Sequence, residues 1–394
     1  MLVNSMKRYK LVFLVLVFAL VAASCNSTGS TETTTTAAAP GGTDNTTATE
    51  PSAGADYNID DSTQQQIDSA GSKGIIGLSY NTTEIPVVAA QQEANRLAAE
   101  AAGYDAIVFD ARFDSAEQIA SIRTMIQLGV KGIIISAIDD RAIIPALQLA
   151  KDAGIPVVME DGGVAHSPEA EGLIVGYVGA DNFRAGELDA EYLARRLNGK
   201  GKIAVMGFRA ISAAYERENG FNNVLKHYPG IEYVSYAEAV GVPAGLKNMQ
   251  DFMQRTPDLD AVYCINDPGC EGAYQALIAA GKQDQIFLVS NDADPLALDY
   301  MRESNGQTYA YTSAQWPQVM GKVAVENLIA AIEGNDDAFQ WNVEIIGEPQ
   351  YFPRFFVAPF PITIDTIDDY PAWTTAVDYR DIDSTPPWVS PYDK

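Results

Sequence analysis

Residues 261–274 read AVYCINDPGCEGAY, an apolar run of strand type that passes through Asn266, Asp267 and Pro268 into a segment with helical spacing. A buried strand rejects unpaired amides and carboxylates, so the polar pair marks the point where the chain leaves a sheet. In an open parallel sheet the carboxyl ends of the strands face a crevice in which ligands bind. The stretch therefore predicts a strand-to-helix joint on the rim of such a crevice.

The same grammar recurs on both sides of it. GIIGLSY (74–80), DAIVFD (105–110), GIIISA (132–137) and IPVVMED (155–161) are each followed or separated by amphipathic helical segments, and IPVVMED closes a first series. A second series opens with LIVGYVGAD (173–181) and continues through KIAVMGF (202–208), IEYVSYA (231–237), AVYCIND (261–267) and IFLVSND (286–292). Strands apolar on both faces and alternating with helices imply parallel sheets covered on both sides. The expected fold is α/β, two similar Rossmann-like lobes with helix-flanked parallel sheets joined by a hinge. Gly103, Gly129, Gly154 and Gly281 stand where helices should end in a left-handed residue.

Composition agrees with a large core: 394 residues are 47% hydrophobic and 20% charged. The formal net charge of −26 makes nucleic acid a poor partner, because phosphate binding needs Lys and Arg to displace counterions. At the start, Lys7, Arg8 and Lys10 precede an apolar run over 11–23, the length of a signal-peptide core and short for a membrane span. It ends in VAASC (21–25), which resembles the lipobox of bacterial lipoproteins and by that resemblance makes Cys25 the lipidated residue and membrane anchor. Residues 1–24 are then a signal peptide and 25–72, rich in Thr, Ser, Ala and Gly, a disordered tether. The first lobe is expected over 73–177 plus 316–345, and the second over 178–315 plus 346–394 with a C-terminal extension.

Polar residues recur at the expected strand ends. Ser79, Asn81, Asp110, Ser136 and Asp161 take these places in the first series, and Arg209, Asn266 with Asp267, and Asn291 with Asp292 in the second. Each alone also suits a turn or a helix cap. Their recurrence at one edge of both series predicts a shared cleft lined by carboxylates, amides and guanidinium groups.

Four further segments carry a family resemblance. AAYERENGF (213–221), CINDPGCEGAYQAL (264–277), LVSNDADP (288–295) and SAQWPQVMGKVAVE (313–326) are similar to segments of the type I periplasmic sugar-binding proteins, the ribose- and galactose-binding proteins that feed ABC importers and share the LacI-type core fold. The resemblance extends over about 73–333 and implies a solute-binding lipoprotein that closes about a hinge on a monosaccharide or polyol. Its implied partners are that solute, an ABC transporter permease and, through Cys25, the outer face of the cytoplasmic membrane. It further implies that Asp161, Arg217, Asn266, Asp292, Gln315 and Ser136 hydrogen-bond the solute, with no cofactor and no metal. Carboxylates, amides and an Arg fork match adjacent hydroxyls, each of which donates and accepts. On this reading, exchanging Asp292 or Arg217 for Ala weakens ligand binding while leaving the melting temperature of the free protein little changed.

The chain departs from the family pattern at the aromatic sandwich around the sugar: Pro86-Val87-Val88 and Val240 stand where rings are usual. Trp316, Tyr80, Phe208 and Tyr215 are the neighbouring rings able to stack in their place. The missing sandwich points to a pentose, a polyol, a furanose or another molecule less apolar than glucose, with a non-sugar polar solute such as a nucleoside as the alternative. Enzymatic chemistry finds little support, since His166 and His227 lack zinc-like spacing and neither a Gly-x-Ser-x-Gly elbow nor a phosphate loop occurs. The two rivals to transport are a sensory lipoprotein presenting the same ligand to a receptor and a glycosidase built on the paired carboxylates.

Overall fold

The computed structural model describes residues 72–163, 168–341 and 352–370. The signal segment, Cys25, the tether, His166 and the extension beyond residue 370 lie outside the described residues.

Two six-stranded sheets organise the chain, with strand orders β11-β5-β4-β3-β1-β2 and β12-β10-β9-β8-β6-β7. The first holds β1 (Ile75–Tyr80), β2 (Asp105–Asp110), β3 (Gly132–Ile135), β4 (Val157–Glu160), β5 (Gly176–Ala180) and β11 (Arg354–Val357). The second holds β6 (Lys200–Gly207), β7 (Gly230–Glu238), β8 (Ala261–Cys264), β9 (Phe287–Asp292), β10 (Tyr309–Ala314) and β12 (Phe360–Ile362). All neighbours run parallel except β12, which pairs antiparallel with β10 through Thr312 and Ile362. Each sheet reverses its order at one place, between β1 and β3 and between β6 and β8, and ligands of open sheets sit outside the strand ends at such a switch point.

The inner strands β3, β4, β8, β9 and β10 are buried along their whole length, while no residue of the edge strand β7 is buried. Helices cover both faces. In the first lobe these are α1 (Pro86–Ala101), α2 (Ser115–Leu128) and α3 (Ile144–Asp152). In the second they are α4 (Asn182–Arg196), α5 (Ser212–Leu225), α6 (Val242–Arg255), α7 (Asp267–Ala280) and α8 (Pro295–Glu303). The last helix, α9 (Pro317–Glu333), leaves the second sheet yet lies on α1 and on β3, β4 and β5. Gly129 and Gly281 end α2 and α7 in the left-handed conformation, as expected. Gly103 and Gly154 fall one residue beyond the caps Ala102 and Ala153.

The lobe boundaries differ from those expected at two places. LIVGYVGAD supplies β5, which pairs with β4 and closes the first sheet instead of opening the second. The first lobe thus runs to Ala180, and periodicity carried no sign of this because a buried parallel strand looks alike in either sheet. Likewise β11 returns to the first sheet beside β5, so the described residues 352–370 are shared between lobes and not given to the second alone. Among the described residues the chain crosses between lobes three times, after β5, after β10 and between β11 and β12.

Candidate ligand site

The carboxyl end of β4 delivers Asp161 with φ of 55°, a left-handed conformation unusual for a non-glycine residue. Its amide donates to the Val178 carbonyl and its own carbonyl accepts from the Tyr177 hydroxyl at 2.9 Å, so the strained turn is held from two sides. The carboxyl oxygen Oδ1 is buried with no hydrogen-bond partner in the protein. Burial raises the pKa of this carboxyl, an effect that the Arg217 guanidinium opposes. Ser136 lies buried at the end of the neighbouring β3, its hydroxyl within 3.5 Å of the Asn81 amide, which joins the two strands that flank the switch point.

The second lobe answers with Arg217 on α5, only 6% exposed. Its Nε donates to Asn182 Oδ1 at 2.8 Å, and its Nη1 donates to the Ile265 carbonyl at 2.6 Å and to Asp292 Oδ1 at 3.0 Å. The guanidinium is therefore positioned by α4, β8 and β9 together. Asp292 closes β9 with φ of 114° and is buried, which raises its pKa against the pull of Arg217. Arg217 reaches this place because α5 packs unusually close to α4: a Cβ at Gly186 would stand 1.9 Å from the Arg217 carbonyl oxygen.

Gln315 follows β10, whose last residue Ala314 is in register with Asp292. It is 1% exposed, and neither its Oε1 nor its Nε2 has a partner in the protein. A buried amide left wholly unpaired costs several kcal/mol, on the order of 1–3 per polar atom, and such groups call for a ligand or water. Asn266 is more committed than expected. Its Oδ1 caps α7 through Gly269 N at 3.1 Å and its Nδ2 donates to the Val240 carbonyl at 3.1 Å, leaving one amide hydrogen for a ligand.

The lobes meet across the crevice. Ser212 Oγ, at the start of α5, lies 3.2 Å from both the amide and the carbonyl of Gly163 in the loop after β4. Together with the approach of Asp161 to Arg217, this contact defines a closed arrangement. Sequence reading missed Ser212 and Asn182. A helix-start serine and an asparagine after a strand look like ordinary caps, and only the tertiary contact distinguishes them.

Other strand-end groups serve the scaffold. Asp110 builds a turn by accepting from Thr83 N at 3.1 Å and Thr83 Oγ1 at 2.6 Å. Asp267 is buried among Ser290, Tyr309 and Thr312, all of which donate to it. Asn291 and Ser313 donate to Asp189, a buried carboxyl that burial lifts to about 7. Arg209 pairs with Glu218 and lies over the Tyr236 ring. Cys264 and Cys270 are buried and free.

The four rings fare differently. Tyr80 is turned under α1, where its hydroxyl accepts from Asn95 at 2.6 Å, so it is spent inside the first lobe and not available for stacking. Phe208 packs half-buried against the second core, and Tyr215 is 47% exposed on the first turn of α5. Trp316, with φ of 54°, precedes Pro317 at the second crossing and meets Tyr370 edge to face at 4.9 Å.

Comparison with known proteins places this geometry in context. A family model described as the periplasmic binding protein domain matches residues 76–336. The ribose import binding protein of Bacillus subtilis is 31% identical over 252 residues, covering 64% of this chain and 79% of the relative. An ABC transporter periplasmic solute-binding protein from Actinobacillus succinogenes, solved with bound D-allose, superposes with a TM-score of 0.66 at 26% identity, covering 76% of this chain and 100% of that one. The periplasmic component of the arabinose ABC transporter from a Shewanella species, bound to L-arabinofuranose, gives a TM-score of 0.66 at 26% identity, with coverages of 75% and 93%.

Proposed function

Because the chain belongs to the periplasmic binding protein family, we propose that it captures a small carbohydrate or related polyol in the crevice between its lobes and hands it to an ABC importer. The observation that carries the reading is the convergence of unsatisfied polar atoms, Asp161 Oδ1 and both amide atoms of Gln315, at strand ends beside the Arg217–Asp292 pair. These groups bind hydroxyls; none is arranged as a nucleophile with its base. Asp161 and Ser136 act from the first lobe and Arg217, Asn266 and Asp292 from the second, while Gln315 acts from the crossing between them. Closure then depends on a solute that satisfies both walls, with Ser212 and Gly163 latching the rim.

Calorimetry against pentoses, hexoses, furanoses, polyols and nucleosides tests the reading. Gln315→Ala is the cleanest probe, since its amide holds no protein partner. The variant should lose roughly 1.5–3 kcal/mol of affinity for the best solute, while the ligand-free protein melts no lower than the parent because an unpaired buried amide is removed. Full affinity in the variant would remove Gln315 from the site, and release of reducing ends from glycosides would replace binding with catalysis.

The membrane end of the reading is Cys25, whose VAASC context supports lipidation on the outer face of the cytoplasmic membrane. Cys25→Ser should move the protein from the membrane fraction to the soluble extracytoplasmic fraction. Retention in the membrane fraction would refute the anchor.

A further inference from the structure

A second hollow lies at the far end of the second sheet from the crevice. Strands β9 and β10 run from Phe287 and Tyr309 to Asp292 and Ala314, so their amino ends stand roughly 17 Å from the ligand groups described above. There the end of α4 and the segments that lead into β9 and β10 enclose a cleft of about 180 Å³, lined by residues 283–287 with Arg196 and Gln307.

Arg196, the last residue of α4, is fixed in this cleft. Its Nη1 donates to the Tyr192 hydroxyl at 3.0 Å and to the Gly306 carbonyl at 2.9 Å, and its Nη2 donates to the Gln307 carbonyl at 2.7 Å. The guanidinium carbon lies 4.6 Å over the Phe287 ring. All these partners are uncharged, so the positive charge is held in place but not neutralised. Nη1 has spent both hydrogens, whereas Nε–H and the second Nη2–H have no partner among the described residues. These two form the parallel edge of the fork that fits both oxygens of a carboxylate.

Gln283 supplies the opposite need. Its backbone carbonyl accepts from Thr308 Oγ1 at 2.7 Å and anchors the segment, but its side-chain Oε1 is a buried acceptor without a partner. Asp284, exposed, adds a negative charge to the same lining. A simple anion would satisfy the fork of Arg196 and be repelled by Asp284, and a simple cation would do the reverse. A neutral solute would leave both charges unmatched, while a zwitterion meets both and also brings hydrogens for Gln283 Oε1. The volume lies below the roughly 300 Å³ at which sites for drug-sized ligands begin, which restricts the guest to a compact molecule.

We propose that this cleft is a second binding site, and that it takes a small α-amino acid. The carboxylate lies on the free edge of Arg196, and the ammonium group is shared by Gln283 Oε1 and Asp284. The site stands apart from the crevice and holds whether or not the crevice takes a sugar.

Calorimetry and saturation-transfer NMR on the purified protein provide the test with glycine, L-alanine and L-serine. Each is compared with its hydroxy acid, which lacks the ammonium group, and with its amide, which lacks the carboxylate. At least one amino acid should bind saturably, about ten-fold tighter than both of its analogues. Arg196→Lys, which keeps the charge and loses the fork, should weaken it about ten-fold. Gln283→Ala and Asp284→Asn should each weaken it about three-fold or more with melting unchanged, because Gln283 Oε1 and the Asp284 carboxylate hold no partner among the described residues. No saturable binding by any of the three overturns the site. A hydroxy acid that binds as tightly as its amino acid overturns the zwitterion, and unchanged affinity in both Gln283→Ala and Asp284→Asn overturns the placement in this cleft. None of these results bears on solute capture, which the sugar titrations read separately.

Discussion

Glu160 ends β4 one residue before Asp161, yet points away from the crevice into the first lobe, where it accepts from Asn95 at 2.6 Å and is fully buried. In the unfolded chain it ionises at about 4.3. In the folded lobe, burial foremost and the neighbouring Asp161 charge raise it to about 8. Below the unfolded value both states keep the proton and the residue costs nothing. As pH rises from there to about 8 only the unfolded state releases its proton, so stability falls, and the fall ends once the folded state ionises too. Glu160→Gln should therefore melt roughly 5 °C above the parent at pH 8 and level with it at pH 4. An equal offset at both pH values would show that the carboxyl proton is irrelevant.

The same residue scale marks how far the site was legible. Asp161, Arg217, Asp292 and Gln315 were marked as strand-end residues or by family motifs, and the fold brings them to the strand ends. Their bonds were not legible. Arg217 ties α4, β8 and β9, so Arg217→Ala strips Asp292 of a buried partner and destabilises the free protein, contrary to the expectation that its melting temperature would hold. Nothing local in AAYERENGF reveals those distant partners, and the acceptors of Glu160 and Gln283 are equally silent in sequence.

Among elements, the contact of α4 with α5 depends sharply on single atoms. A Cβ at Gly220 would lie 1.9 Å from the Phe183 carbonyl oxygen, mirroring Gly186 against Arg217, so the two backbones touch where side chains normally intervene. Gly186→Ala must part the helices and carry Arg217 off its bonds. The expected cost is on the order of 3 kcal/mol of stability, read from urea denaturation, with solute affinity falling as well. A neutral substitution would mean that the close approach is dispensable. Strands and most helices were readable because burial on both faces imposes continuous apolar runs, and GIIISA and IFLVSND have no other reading. Sheet membership was not, since β5 and β11 are assigned by pairing with β4 and with each other, contacts that reach as far as from Tyr177 to Arg354 and leave no periodic trace.

At the scale of the whole molecule, the three crossings make the hinge and the closed cleft one feature. Trp316 and Pro317 stand at the middle crossing, directly after Gln315, so this proposed solute ligand sits where a strand leads into a segment that must bend as the lobes part. The cleft and the two-lobed plan followed from the recurrence of polar strand ends, while the closing contact between Ser212 and Gly163 depends on how the lobes dock and was not foreseeable from either segment.

The interleaving has an order-of-assembly consequence. The first lobe to emerge during synthesis is incomplete until nearly the last: its sheet waits for α9 to cover β3, β4 and β5, and for β11 to flank β5. Through most of elongation the nascent amino-terminal half therefore has an uncovered apolar face and an unpaired edge. The core of that lobe can therefore close only once the last described strands have been made.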